Sequence, residues 1–298
     1  MTRIGAIFNP YTHTPDEFHD AVIAAERAGV PELWVWEDCF KQSSFATVGA
    51  ALAWTENLKV GIGIAPMPLR NVAATAMEIA TLERLFPGRL LPGVGHGVLP
   101  WMGQVGARVA SPLTLMREYV PALRGLLAGE RVSVDGRYVK LDDVVLDYPP
   151  TVAPRIYAAA EGPKTVRLSG EVADGSVLDS RHTVEELAER VASIRAGRAD
   201  AGRPGAQDQR AHEHDTVAFV VATFGADAEA RALADVGDDH PDPGARALWG
   251  TPEQVAEGAR AYFAAGIDEV ILQPSSRVDL VEFYDAAGEV ARLVAAVE

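Results

Sequence analysis

Only one cysteine, Cys39, occurs in 298 residues. An intramolecular disulfide is therefore excluded, and no Cys/His cluster has the spacing of a zinc site. Cations are scarce too: 27 Lys+Arg stand against 42 Asp+Glu, a net charge of −15. So acidic a surface repels phosphate backbones and anionic headgroups, which argues against nucleic acid or a membrane as the main partner. No stretch reaches the roughly 18 apolar residues of a membrane span, and the apolar run in MTRIGAIFNP is too short for a signal peptide. The expectation is a soluble cytoplasmic protein. Also missing are an HExxH motif, a readable Ser-His-Asp order and carboxylates paired across a pocket.

What is present is a regular alternation of short apolar runs and capped helices. With 48% hydrophobic residues the chain can bury a large core, and α/β barrels of this length form one domain. An internal repeat organises it. TPDEFHDAVIAAERAGVPELWVW (14–36) aligns without a gap to TPEQVAEGARAYFAAGIDEVILQ (251–273), so that Thr14, Pro15, Gly29 and Glu32 coincide with Thr251, Pro252, Gly266 and Glu269. Each copy reads as a capped helix, a glycine stop and a buried strand. Strands are expected at 3–8, 33–36, 58–65, 90–94, 155–160, 175–179, 215–223 and 269–273. Helices are expected at 44–55, 71–86 and 112–128. Helix-then-strand units require a parallel sheet covered by helices. Eight strands predict an α/β fold of the TIM (β/α)8 barrel type, with a doubly wound sheet as the alternative. Residues 1–298 then form a single domain with insertions near 131–150 and 224–250. In the first insertion Asp135-Gly136 predicts a two-residue hairpin turn; the second reads as a short helix and a loop.

In a barrel the residues just after the strands build the site. Three stretches draw attention. Gly93, Gly95 and Gly97 alternate around His96, with Trp101 beyond and Ser111-Pro112 restarting a helix. A glycine loop of this kind lets a flat ligand approach the main chain, although a tight turn with a surface His fits the spacing equally. Glu161-Gly162-Pro163-Lys164-Thr165 ends a strand and opens a helix, offering N–H groups and a cation to an anion; a plain turn with a solvated Lys is the alternative. Asp38 closes the second strand, where a carboxylate needs partners or water. Cys39 reads as a small buried hydrophobe and Trp34 and Trp36 as core. A mouth this poor in acid–base groups suits a protein whose cofactor supplies the chemistry.

The segments WVWEDCF, GIGIAP, PGVGHGVLPWMGQVGARVASPLTLMREY and EGPKTVRLSGEVADG, in that order over nearly the whole chain, resemble the luciferase-like monooxygenase superfamily. The closer likeness is to its coenzyme F420-dependent, methylenetetrahydromethanopterin reductase-like branch. The resemblance implies a TIM barrel with insertions, usually a homodimer, acting on a small molecule. It further implies that Asp38 contacts the coenzyme, that Gly63-Ile64 form a third-strand bulge with a cis peptide bond, and that His96 faces the deazaflavin. Glu161, Gly162, Lys164 and Thr165 match the segment that holds the coenzyme phosphate. Asp38 and His96 would be the catalytic pair. Where the branch's sugar-phosphate dehydrogenase carries a catalytic histidine, glutamate and asparagine, this chain has Cys39, Val98 and Trp101, which speaks against sugar-phosphate oxidation. The expected function is hydride transfer between F420 and an organic substrate. An FMN-dependent monooxygenase using reduced flavin and O2, and a ligand-binding barrel without turnover, are the alternatives.

Overall fold

The computed structural model describes residues 2–202, 214–237, 242–274 and 276–296. β1 (Arg3–Phe8) leads through α1 (Phe18–Ala28) to β2 (Glu32–Val35), then α2 (Ser44–Trp54) and β3 (Lys59–Ile62). Past Gly63-Ile64, β4 (Ala65–Pro66) continues β3; α3 (Val72–Leu85), β5 (Leu90–Leu91) and its continuation β6 (Gly93–Gly95) follow. Next come α4 (Leu99–Gln104), α5 (Pro112–Leu127) and a hairpin of β7 (Val132–Asp135) and β8 (Lys140–Val144). The second half runs β9 (Tyr157–Ala159), α6 (Pro163–Val172), β10 (Gly175–Leu178), α7 (Val184–Asp200) and β11 (Asp215–Phe224). It ends with α8 (Ala228–Val236), β12 (Ala247–Gly250), α9 (Pro252–Ala264), β13 (Glu269–Pro274) and α10 (Leu280–Ala295).

Counting β3–β4 and β5–β6 as one interrupted strand each, eight strands pair in parallel in chain order. β3 joins β5, β4 joins β6, and β13 returns to β1 through Arg3↔Glu269. The sheet therefore closes as the (β/α)8 barrel expected from the strand count. The repeat has the anatomy read from it. Thr14 and Thr251 both form capping boxes, and Gly29 and Gly266 both take left-handed φ values, +75° and +95°.

Two local readings are corrected. The hairpin exists, but Asp135 pairs with Lys140, leaving a four-residue loop in place of a two-residue Asp-Gly turn. Glu118 on α5 accepts hydrogen bonds from the N–H groups of Arg137, Tyr138 and Val139 at 2.8, 2.8 and 3.0 Å, and this carboxylate holds the wider loop open. In the second insertion the helix is α8, but residues 247–250 form a strand. β11 pairs with β10 only as far as Ala218, so the rest of that edge would be bare; β12 covers it through Val221↔Ala247 to Phe224↔Gly250.

The barrel interior is filled by Ile7, Trp34, Tyr157, Val177, Val217, Phe219 and Ile271, all buried. Below them, at the strands' N-terminal ends, lies a charged floor. The repeat's two glutamates, Glu32 and Glu269, meet there and share Arg3, which pairs with Glu269 and lies 3.6 Å from both Glu32 and Asp215. Arg155 and the Tyr157 hydroxyl each approach Asp215 at 2.9 Å.

Candidate active site

Parallel strands carry Asp38, Ile64, His96 and the 161–165 turn to one end of the barrel, because each follows or ends a strand at its C-terminal side. Asp38 is the best defined. Register pairs Phe8 with Val35, so the residues three further on, Tyr11 and Asp38, stand side by side. The Tyr11 hydroxyl donates to Asp38 Oδ2 at 2.7 Å, and Lys41 Nζ sits 4.2 Å over the Tyr11 ring. Burial raises the Asp38 carboxyl above the usual carboxylate range, against the pull of this hydrogen bond and of Lys41. Burial likewise raises the Tyr11 phenol, with the adjoining carboxylate adding to the effect. Next door, Glu37 is buried and fully engaged: it accepts from Ser44 Oγ at 2.5 Å and holds Arg70 at 2.5 and 3.0 Å.

Cys39 is half-buried. Burial first, then the carboxylates of Glu37 and Asp38, push its thiol above the ordinary range. At pH 8 iodoacetamide is therefore expected to alkylate Cys39 more slowly than free cysteine, with the rate rising as pH rises, because only the thiolate reacts. A rate at or above that of free cysteine would show an activated thiol.

The peptide bond between Gly63 and Ile64 is cis, as the resemblance implies, and a second cis bond joins Cys39 to Phe40. The glycines here make room for side chains. A Cβ on Gly61 would overlap the Trp34 ring, one on Gly63 would stand 2.6 Å from Phe219, and one on Gly95 would stand 2.8 Å from Ile64. Gly93 and Gly95 therefore belong to β6 and seat the Ile64 side chain; only Gly97, at φ +67°, makes a turn. His96, between them, is half-buried, with Nε2 buried and without a hydrogen-bond partner. Burial lowers its pKa, so the imidazole is neutral near pH 7.

At the end of β9, Gly162 is the N-cap of α6, with Pro163 at its first position and no side-chain cap; the Thr165 N–H turns back to the Gly162 carbonyl at 2.9 Å, leaving the Lys164 N–H facing outward. Lys164 is exposed and has no ion pair among the described residues, whereas Thr165 is half-buried. Glu161 points elsewhere: its carboxylate lies 2.9 Å from Arg181, which Asp179 also holds at 2.6 Å. The sequence reading missed Arg181 as the residue bridging the β9 and β10 ends, and it missed Tyr11 as the partner of Asp38. Register arithmetic from β1 to β2 would have found the second; nothing local signals the first. A cleft of about 300 Å³ lies to one side, lined by Met67 to Val72, Tyr119 and Tyr138 to Lys140, not over Asp38 or His96.

Among the described residues no group of His, Cys, Asp and Glu is placed to hold a metal ion, and no helix is long and apolar enough to cross a membrane. The luciferase-like monooxygenase family model matches residues 1–240. A 5,10-methylenetetrahydromethanopterin reductase of Methanolobus tindarius is 32% identical over 179 residues, 60% of this chain and 54% of that protein. An F420-dependent glucose-6-phosphate dehydrogenase of Beutenbergia cavernae is 31% identical over 197 residues, 60% of this chain and 57% of the relative. The chain thus matches little more than half the length of these relatives. The structure of the coenzyme F420-dependent tetrahydromethanopterin reductase of Methanopyrus kandleri superimposes with a TM-score of 0.83 at 19% identity, over 98% of this chain and 99% of the other.

Proposed function

We propose that this chain, which belongs to the luciferase-like monooxygenase family, is an oxidoreductase that passes a hydride between coenzyme F420 and a small organic substrate at the barrel mouth. The observation that carries the reading is the uncapped first turn of α6 with its unpaired Lys164, set at the same barrel end as the orphaned Nε2 of His96. A phosphate fits the first and a hydrogen-bond acceptor of a flat ring fits the second. When bound, the deazaflavin supplies the two-electron hydride chemistry. The protein's residues hold and orient. Gly162, Lys164 and Thr165 take the phosphate, with Glu161 fixing the turn through Arg181. Gly63 and Ile64 back the ring. Neutral His96 and Asp38, whose proton affinity is raised, orient the ring and manage the proton that accompanies the hydride.

Binding tests this directly. Titration with F420 and with FMN, followed by tryptophan quenching, is expected to show tighter F420 binding. Lys164→Ala should weaken it by about 1–3 kcal/mol, the range for a charge-assisted contact. Unchanged affinity without salt dependence would place the phosphate elsewhere, and tighter FMN binding would favour the monooxygenase reading.

The whole chain acts as one cytoplasmic domain, and its partner is a second copy. α2 carries no charged residue, SFATVGAALAW, although Ala46, Ala53 and Trp54 face outward. It packs on α3 at Gly49 and Leu82, where Met77 and Leu85 are 61% and 64% exposed. The outer surface of α2 carries no charge, and on a chain of net charge −15 such a surface can meet its own copy without repulsion. Light scattering is expected to give twice 31.8 kDa, and Met77→Glu to shift the protein towards monomer; a monomeric wild type would remove the pairing.

A further inference from the structure

Aromatic residues make up only 7% of this chain, yet the loops at the barrel mouth carry a run of them. Tyr11 follows β1, Trp36 and Phe40 follow β2, and Trp101 lies on α4 beyond β6. Tyr11 is 53% and Phe40 67% exposed, and Val98 and Leu99 add apolar surface beside the glycine turn. This is not a patch on an outer face. The Tyr11 ring lies 6.2 Å from Trp36, and Trp36 lies 6.3 Å from Phe219, so the shelf continues into the barrel interior. Its polar corner is the Tyr11–Asp38 pair, hydrogen-bonded at 2.7 Å, with Lys41 Nζ 4.2 Å over the Tyr11 ring. An apolar seat with a few convergent polar groups at one corner is the form of a small-molecule site.

Charge narrows the occupant. Around Tyr11 and Asp38 the cations are engaged: Lys41 lies over the Tyr11 ring and faces Asp38, Glu37 holds Arg70, and Glu17 holds Arg277 at 2.6 Å. Lys41 already offsets the Asp38 charge, so among the described residues of these loops no surplus positive charge draws a phosphate or carboxylate to the seat.

We infer that the substrate half of the mouth takes an uncharged molecule with a flat aromatic or alicyclic skeleton and one polar group directed at Asp38 and Tyr11. This inference rests on the oxidoreductase reading only for calling that molecule a substrate; the seat is a property of the chain.

Calorimetric titration of the full chain, alone and saturated with F420, with acetophenone and with glucose 6-phosphate separates the two. Acetophenone is expected to bind at least tenfold more tightly, with a negative heat-capacity change from apolar burial. Phe40→Ser should weaken acetophenone about tenfold, whereas Val152→Ser, 63% exposed before β9 at the opposite barrel end, should not. Glucose 6-phosphate binding as tightly as acetophenone, no saturable ketone binding, or an indifferent Phe40→Ser would each overturn the inference. Ketone binding with the expected selectivity but no F420 binding would instead remove the coenzyme reading and leave the seat standing.

Discussion

Replacing Arg3 with methionine is expected to cost the fold about 3–5 kcal/mol, the range for stripping one partner from a buried ion pair. Arg3 is the one described cation paired with Glu269, which is wholly buried, and it also faces Glu32 and Asp215. Asp215 retains Arg155 and Glu32 retains Lys59 at 4.0 Å, so the cost falls on Glu269. For a chain of this length the loss corresponds to a fall in Tm of about 5–8 °C. Adding Glu269→Gln to the Arg3→Met chain should recover most of it, because the stranded charge is then gone. The pH dependence has a definite sign. Burial raises the Glu32 carboxyl above its unfolded value despite Arg3, so the folded state holds that proton to higher pH than the unfolded chain does. Its contribution declines as pH rises from the unfolded carboxylate range through the folded value, and removing Arg3, which holds that value down, extends the decline to higher pH. Denaturant midpoints for Arg3→Met within measurement error of the wild type at pH 5 and pH 8 would show that the floor does not depend on this cation.

Trp34→Ala is expected to destabilise by a similar amount, about 3–5 kcal/mol, since it empties the middle of the barrel. Trp34 is fully buried and touches Tyr157 and Phe219 edge-on, with ring centroids 5.6 and 5.9 Å away. Gly61→Ala alone should cost about 1–3 kcal/mol, because its methyl would overlap the Trp34 ring. The two changes compete for one space, so the double variant should be no less stable than Trp34→Ala. Strict additivity in urea unfolding would show that the indole and the glycine do not share it.

These two expectations also mark what could be read in advance. The strand count, the capped helices and the repeat depend on periodicity and on capping chemistry, which act within a dozen residues. The α/β barrel was accordingly legible from one chain, down to Thr14 and Thr251 in matching capping boxes. The turn at 161–165 and the placement of Asp38 and His96 after strands were legible for the same reason. The width of the 135–140 loop was not, because Glu118 sets it from another element, nor was β12, because the bare edge of β11 recruits it.

What the sequence by itself determined is which residues lie at the ends of strands, and hence which side chains a closed parallel sheet must gather at its mouth. The tertiary structure alone decided what those side chains do to one another. It set Tyr11 against Asp38, turned Glu161 to Arg181, and made Gly61, Gly93 and Gly95 into room for Trp34, the β3 backbone and Ile64, in place of a cradle for a ligand. The physical reason is range. Backbone preference is written within a few residues, whereas side-chain contact and burial depend on which distant strands the register places side by side.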